Sequence, residues 1–228
     1  MKAMILAAGR GERMRPLTDH CPKPLLEVGG VSLIGWHLRR LAAAGITEVV
    51  INHAWLGEQI ESRLGDGADW GLRIEYSREA TALETAGGIA QARPLLGEAP
   101  FLLLSGDIYC NYDLAGLLPV AAAMRADPDR LAHLVMVDNP PYHPGGDFAL
   151  EGGQIAPDGE PRLCYANIAV CSPCLVDGVA SGSVAKLGPI FARQGRAGRI
   201  TGEYFAGTWL NVGTPADLDQ ARRLLLGH

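Results

Sequence analysis

Short apolar runs alternate along the chain with amphipathic stretches, and loops containing Gly or Pro separate them. Residues 2–7 (KAMILA) are an apolar run that empties into a glycine-rich loop, which reads as a buried first strand. Residues 32–44 open on a Ser cap and stop at Gly45, so both ends of a helix are marked. A strand over 47–53, a helix over 55–64, a strand over 72–77 and a helix over 84–96 follow. Residues 100–107 (PFLLLSGD) form an apolar central strand with a polar end. The pattern then loosens. It predicts a helix near 113–126, a strand over 132–138, short strands around 147–150 and 153–156, and a strand over 164–172. A helical stretch at 183–194 and one or two strands within 199–210 come next. The last element is a helix from Thr214-Pro215 to about Leu226, with Pro at the favoured first helical position.

Strand and helix in alternation predict an α/β fold with a largely parallel sheet. A chain of 228 residues corresponds to about 1.5 average domains and reads as one. Its regular first half covers about 1–110. The second half, about 111–228, is a mixed-sheet region that covers one side of a cleft. No internal repeat or linker divides the two.

Charge and cysteine usage narrow the function classes. Twenty Lys+Arg against 25 Asp+Glu give a net charge of −5, and no basic run occurs, so nucleic acid and anionic membrane surfaces are not expected partners. No stretch of 18 apolar residues predicts a membrane span, and the N-terminus lacks a signal peptide's apolar core. Five cysteines, with a lone Cys171-x-x-Cys174 and no nearby His, suggest neither a disulfide framework nor a zinc site. They fit a reducing cytoplasm. The six histidines (20, 37, 53, 133, 143 and 228) show no ligand spacing and read as surface or internally satisfied residues.

The chemistry concentrates near the first strand. In Leu6-Ala7-Ala8-Gly9-Arg10-Gly11-Glu12-Arg13-Met14-Arg15-Pro16, two glycines alternate with charged residues directly after a strand. Backbone amides in such a loop can approach an anion closely. No Gly-Lys-Ser/Thr follows, so it is not a P-loop, and Met14 stands where a dinucleotide fingerprint needs its third glycine. Lys23, held in Cys21-Pro22-Lys23-Pro24, is one of only three lysines against 17 arginines. A compact ammonium in a stiffened loop reads as a positioned phosphate ligand. Asp107 ends the apolar central strand, the edge where open α/β sheets hold their ligands.

Taken together, AAGxGxRMxPLT and PKPLL resemble the sugar-1-phosphate nucleotidyltransferases. Leu83-Glu84-Thr85-Ala86-Gly87-Gly88, Ser105-Gly106-Asp107, Asn167-Ile168 and Trp209-Leu210-Asn211-Val212-Gly213-Thr214-Pro215 extend the likeness over the whole chain. INHAWLGEQI (51–60) and VDNPPYHPGGDFAL (137–150) resemble the bacterial subgroup that acts on N-acetylmuramic acid 1-phosphate in peptidoglycan recycling. The resemblance implies a Rossmann-like three-layer α/β/α fold with a mixed, mostly parallel sheet. It also implies attack of a sugar-1-phosphate on a nucleoside triphosphate, with pyrophosphate leaving.

It places Ala8, Gly9, Gly11, Glu12 and Arg13 along the nucleotide, with Arg13 on the distal phosphates, Lys23 on the reacting phosphates, and Glu84, Thr85, Ala86 and Gly87 near base and ribose. Ser105, Gly146, Asp147, Asn167 and Lys186 would face the sugar phosphate. Arg13, Lys23 and Asp107 carry catalysis on this reading. Asp107 and Asn211 would hold Mg²⁺, although much of the family has Asp where Asn211 stands. Glucose-1-phosphate uridylyl- or thymidylyltransferases, mannose- or heptose-1-phosphate guanylyltransferases and a nucleotide-binding module without turnover remain alternatives. No hexapeptide repeats follow the last predicted helix, so a monomer or weak homodimer without a second acyltransferase activity is expected.

Overall fold

The computed structural model describes residues 1–226, with side chains through Leu224; His228 lies outside them. Its first half runs β1 (Ala3–Leu6), β2 (Glu27–Val28), β3 (Val31–Ser32), α1 (Leu33–Ala43), β4 (Glu48–His53), α2 (Gly57–Leu64), β5 (Arg73–Arg78), α3 (Glu84–Leu96), β6 (Phe101–Ser105) and β7 (Ile108–Cys110). The second half adds α4 (Leu117–Ala126), β8 (Ala132–Val137), β9 (Phe148–Glu151), β10 (Gln154–Ala156) and β11 (Arg162–Cys171). It ends with α5 (Leu187–Arg196), β12 (Ile200–Tyr204), β13 (Trp209–Asn211) and α6 (Pro215–Leu226).

One sheet of nine strands, in the order β5-β4-β1-β6-β11-β8-β12-β10-β9, runs through both halves. β5, β4, β1 and β6 are mutually parallel, and β12 is parallel to β8. β11 enters antiparallel between β6 and β8, and β9 and β10 form an antiparallel edge. Because side chains alternate along a strand, Ala3 and Ile5 feed one core with Leu102 and Leu104, while Met4 feeds the other with Phe101 and Leu103. Ile34, Leu38 and Leu41 of α1, Ile60 and Leu64 of α2 and Leu117, Ala121 and Met124 of α4 cover the first face. Ile89, Ala92 and Leu96 of α3 and Leu187, Ile190 and Phe191 of α5 cover the second. The expected three-layer α/β/α arrangement results. Leu218 and Ala221 of α6 close a smaller cluster with Met14, Val28, Leu33 and Val212.

Two expected boundaries move for identifiable reasons. The helix expected at 183–194 begins only at Leu187, because the Ala185 carbonyl accepts from the Ala86 and Gly87 amides at 2.9 and 3.1 Å. The helix expected at 55–64 begins at Gly57, and Trp55 turns away so that its Nε1 donates to the Thr18 carbonyl. Among the described residues, no helix is long and apolar enough to cross a membrane.

Candidate active site

Continuing from β1, the chain turns toward β4 on one side and β6 on the other, so the sheet order reverses direction between β1 and β6. A crevice opens beyond their carboxyl ends, as open α/β sheets require at such a point. A cavity of about 380 Å³ lies there, lined by residues 6–10 at the end of β1, Lys23 and Pro24, Asn52, Ala82, Glu84 and Thr85, and residues 105–107 at the end of β6. A second cavity, of about 130 Å³, shares Leu6, Thr85 and Ser105 with the first and adds Asp147, Tyr165, Asn167 and Leu187. Two adjoining chambers with a common wall suit two ligands that must meet.

Each glycine of the loop after β1 has its own reason. A Cβ on Gly9 would meet nothing within 4 Å, so the bare backbone faces open space in the cavity wall. Gly11 sits at φ 70°, and a Cβ there would crowd Thr18 and Lys23 at 3.0 and 3.3 Å. The Thr18 hydroxyl donates to the Gly11 carbonyl at 2.8 Å. The loop is therefore clamped onto the segment that carries Lys23.

Lys23 is 8% exposed, and its Nζ lies 2.6 Å from Asp107 Oδ2. The two groups assigned separately to phosphates and metal are thus paired across the floor. Arg10 lines the same cavity, with its guanidinium 3.2 Å above the centre of the Trp55 ring. Glu12 lies outside the cavity, where it pairs with Arg10 at 3.2 Å and Arg15 at 3.7 Å. Arg13, expected along the nucleotide, lines neither cavity; its guanidinium lies beside Gly213, where a Cβ would stand 3.1 Å from its Nη2.

Glu84 and Thr85 line the larger cavity, and Glu84 takes a left-handed backbone at φ 60°, costly for a residue with a side chain. Ala86 and Gly87 do not line it. Their amides are spent on Ala185, and a Gly87 Cβ would stand 2.2 Å from the Ser183 carbonyl oxygen. Sequence reading missed the support beneath this wall. The buried Asn52 accepts from the Ala7 amide at 3.0 Å and donates to the buried Glu79 at 2.7 Å, and Glu79 accepts from the Leu83 amide at 2.9 Å. One polar chain thereby links the ends of β1 and β4 to the start of α3. Only distant partners give Asn52 and Glu79 a meaning, and no local motif marks them.

In the smaller cavity, Asn167 stands at φ 57° where the pairing of β11 with β8 shifts register between Tyr165 and Ala169. Such a bulge re-aims a side chain. The Asp147 carboxylate accepts from the Tyr165 amide at 2.8 Å and lies 3.1 Å from His143 Nε2. Gly146 does not line the cavity. At φ 60° it packs against Asn139 and Arg162, and so turns Asp147 inward. Lys186 is exposed at the N-cap of α5 and lines neither cavity. Burial pushes the Cys164 thiol up to about 12, with Asp147 adding to the shift, so it sits as a thiol beside this wall.

Asn211 lines neither cavity; it lies on β13, which among the described residues pairs only with β7. The Val212 amide donates to the Asp107 carbonyl at 2.9 Å, which brings the two candidate metal ligands onto one ribbon. Asn211 Oδ1 is buried without a hydrogen-bond partner among the described residues. His37 departs from expectation. It is fully buried, both ring nitrogens are unpaired among the described residues, and burial lowers its pKa to about 4.

Residues 2–143 match the family model described as nucleotidyl transferase. The chain belongs to this family. The transferase is 52% identical to the N-acetylmuramate alpha-1-phosphate uridylyltransferase of Neisseria meningitidis serogroup B, over 98% of each chain. It is 36% identical to the protein of the same name from Caulobacter vibrioides, covering 93% of this chain and 92% of that one. Its fold matches a Bacillus anthracis protein assigned as a glucose-1-phosphate thymidylyltransferase and solved with sucrose. The TM-score is 0.85 at 21% identity, over 98% of this chain and 94% of that one. The transferase is therefore an enzyme of the sugar-1-phosphate nucleotidyltransferase kind, with the α/β architecture of that group.

Proposed function

We propose that this transferase joins UTP to N-acetylmuramic acid 1-phosphate, releasing pyrophosphate and forming the UDP-sugar. The observation that carries the reading is the pair of adjoining cavities. One has a bare glycine backbone and a buried lysine, and the other is lined by Asn167 and Asp147. The choice of base and sugar rests on the likeness to the Neisseria and Caulobacter enzymes along nearly the whole chain.

In this reading the Ala8–Gly9 backbone and Arg10 cradle the triphosphate, while Glu84 and Thr85 bound the base and ribose. Asn167, Asp147 and Ser105 orient the sugar phosphate so that its oxygen lies in line with the α-phosphorus. Such a transfer proceeds mainly by positioning and charge neutralisation, and no side chain need act as nucleophile. Lys23 turns from Asp107 to the phosphates and follows the developing charge, and the Asp107 carboxylate is freed as an oxygen ligand. Arg13, just beyond the Gly9–Gly11 loop, receives the departing pyrophosphate.

The Asp107 carboxylate and the unpartnered Asn211 carbonyl oxygen are hard donors that fit Mg²⁺, which takes one or two protein ligands beside phosphate oxygens and water. When bound, Mg²⁺ supplies charge neutralisation at the phosphates. We place the enzyme in the cytoplasm, as a monomer or weak homodimer, in the return of cell-wall sugar to nucleotide form.

Pyrophosphate release, measured with Mg²⁺ for UTP, dTTP, GTP, ATP and CTP against N-acetylmuramic acid, N-acetylglucosamine, glucose and mannose 1-phosphates, tests the reading. A maximum with UTP and the muramic acid derivative is expected. A maximum at another pair would overturn the substrate assignment, and no release from folded protein would overturn the reaction.

A further inference from the structure

We propose that Trp55 is a positioning residue for the larger cavity: the face of its indole is the platform that holds the Arg10 guanidinium ready for the triphosphate. Arg10 needs a platform because its own loop gives it little. It stands between Gly9 and Gly11, which have no side chains to pack against it. Among the described residues only its Nε has a hydrogen-bond partner, Glu12 at 3.2 Å, and Glu12 is exposed outside the cavity. Both Nη atoms stay free. A guanidinium on a long stem, with two free donor nitrogens at a cavity wall, grips phosphate well only when its position is fixed beforehand.

The chain after β4 supplies the platform. β4 pairs with β1 in parallel, so both strands deliver their following loops to the same end of the sheet. Trp55 is fixed there by the edge of its ring, where Nε1 donates to the Thr18 carbonyl at 3.0 Å. Gln59 of α2 ties the same two segments together by donating to the His20 carbonyl at 3.2 Å. Between them Leu56 takes a left-handed backbone at φ 52°, costly for a residue with a side chain, which turns the chain from Trp55 into α2. The Thr18 hydroxyl in turn donates to the Gly11 carbonyl at 2.8 Å. The indole is thus tied at its edge to the loop whose arginine lies 3.2 Å above its face. A contact through the ring face spends none of the guanidinium's N–H donors. Trp55 lines neither cavity, so it acts through Arg10 and not on the ligands.

The ligand arms of the test rest on the reading that the larger cavity takes a nucleoside triphosphate. Trp55→Leu removes the aromatic face, Trp55→Phe keeps a face without the N–H to Thr18, and Arg10→Gln removes the cation. Trp55→Leu is expected to weaken calorimetric UTP binding about 10-fold and to raise the KM for UTP in step, with kcat near wild type. Trp55→Phe is expected to recover most of that affinity. Adding Trp55→Leu to Arg10→Gln is expected to cost nothing further, because the two residues act as one unit. An unchanged Kd in Trp55→Leu, an equal loss in Trp55→Phe, additive losses in the double variant or a loss confined to kcat would overturn the proposal.

Arginine side-chain NMR spectra of the ligand-free wild type test the stack itself. One arginine with Hδ and Hε resonances shifted upfield by the indole ring current, assigned by its loss in Arg10→Gln, is expected, and its absence would overturn the proposal. Wild-type protein that binds no UTP would reject the nucleotide site and this proposal with it. Protein that binds UTP but releases no pyrophosphate would reject the reaction alone, and the binding arms would still decide the role of Trp55.

Discussion

Lys23 and Asp107 lie 84 positions apart, yet their side chains meet at 2.6 Å. Each is the other's counter-charge until phosphates arrive, so removing the ammonium should affect the chemistry more than the grip on nucleotide. Lys23→Met is expected to lower kcat about 100- to 1,000-fold, the scale of losing one charge-stabilising donor, with a smaller change in UTP affinity by calorimetry. Glu84 carries the opposite kind of signature. Its φ of 60° stores strain of about 1–3 kcal/mol, so Glu84→Gly should raise stability by about 1 kcal/mol in urea titration while weakening UTP binding. Many residues that line the larger cavity were legible because they cluster in short motifs at the ends of β1 and β6. Asn52, Glu79 and the Arg10–Trp55 stack were not, because each acquires its role only from a partner far along the chain. Ala86 and Gly87 misled for the same reason, since the 183–185 segment that claims their amides lies about a hundred residues downstream.

Among elements, the longer helices and buried strands were readable because caps and periodicity are local. β2, β3 and β7 were not, since two or three residues show no alternation. Nor was the antiparallel entry of β11, which depends on what pairs with β6. The junction of α3 with the lead-in to α5 is a close contact of this kind. Gly87→Ala would drive a Cβ to 2.2 Å from the Ser183 carbonyl oxygen, and is expected to cost about 1–3 kcal/mol of stability and to disturb both cavities through Thr85. A second junction is electrostatic. Glu61 of α2 meets Arg78 of β5 at 2.6 Å and His53 of β4 at 2.6 Å, and the Arg78 guanidinium, helped by His53, holds its carboxyl below the usual range. A lowered carboxyl stabilises the fold above its ordinary range and loses that effect as pH falls through the lowered value. The urea midpoint of wild type should therefore drop more steeply below pH 5 than that of Glu61→Gln.

For the whole molecule, the two halves are woven together more closely than a division near residue 110 suggests. β11 from the second half sits between β6 and β8 of one continuous sheet, and β13, near the C-terminus, pairs with β7 of the first half. The smaller cavity draws Leu6, Thr85 and Ser105 from one half and Asp147, Tyr165 and Asn167 from the other. Neither half can form the smaller cavity alone. Unfolding should then be a single transition, with far-UV circular dichroism and tryptophan fluorescence coincident in urea. The four tryptophans make the comparison informative, because Trp36, Trp55 and Trp70 report on the first half and Trp209, bonded to the Ala166 carbonyl at 2.9 Å, reports on the second. A ligand that bridges the halves should move the whole transition. At a hundred times its Kd, the sugar phosphate is expected to add about 2.7 kcal/mol to both probes alike. Two separated transitions, or a shift confined to the Trp209 signal, would show that the halves fold as independent units and that the sugar site belongs to only one of them.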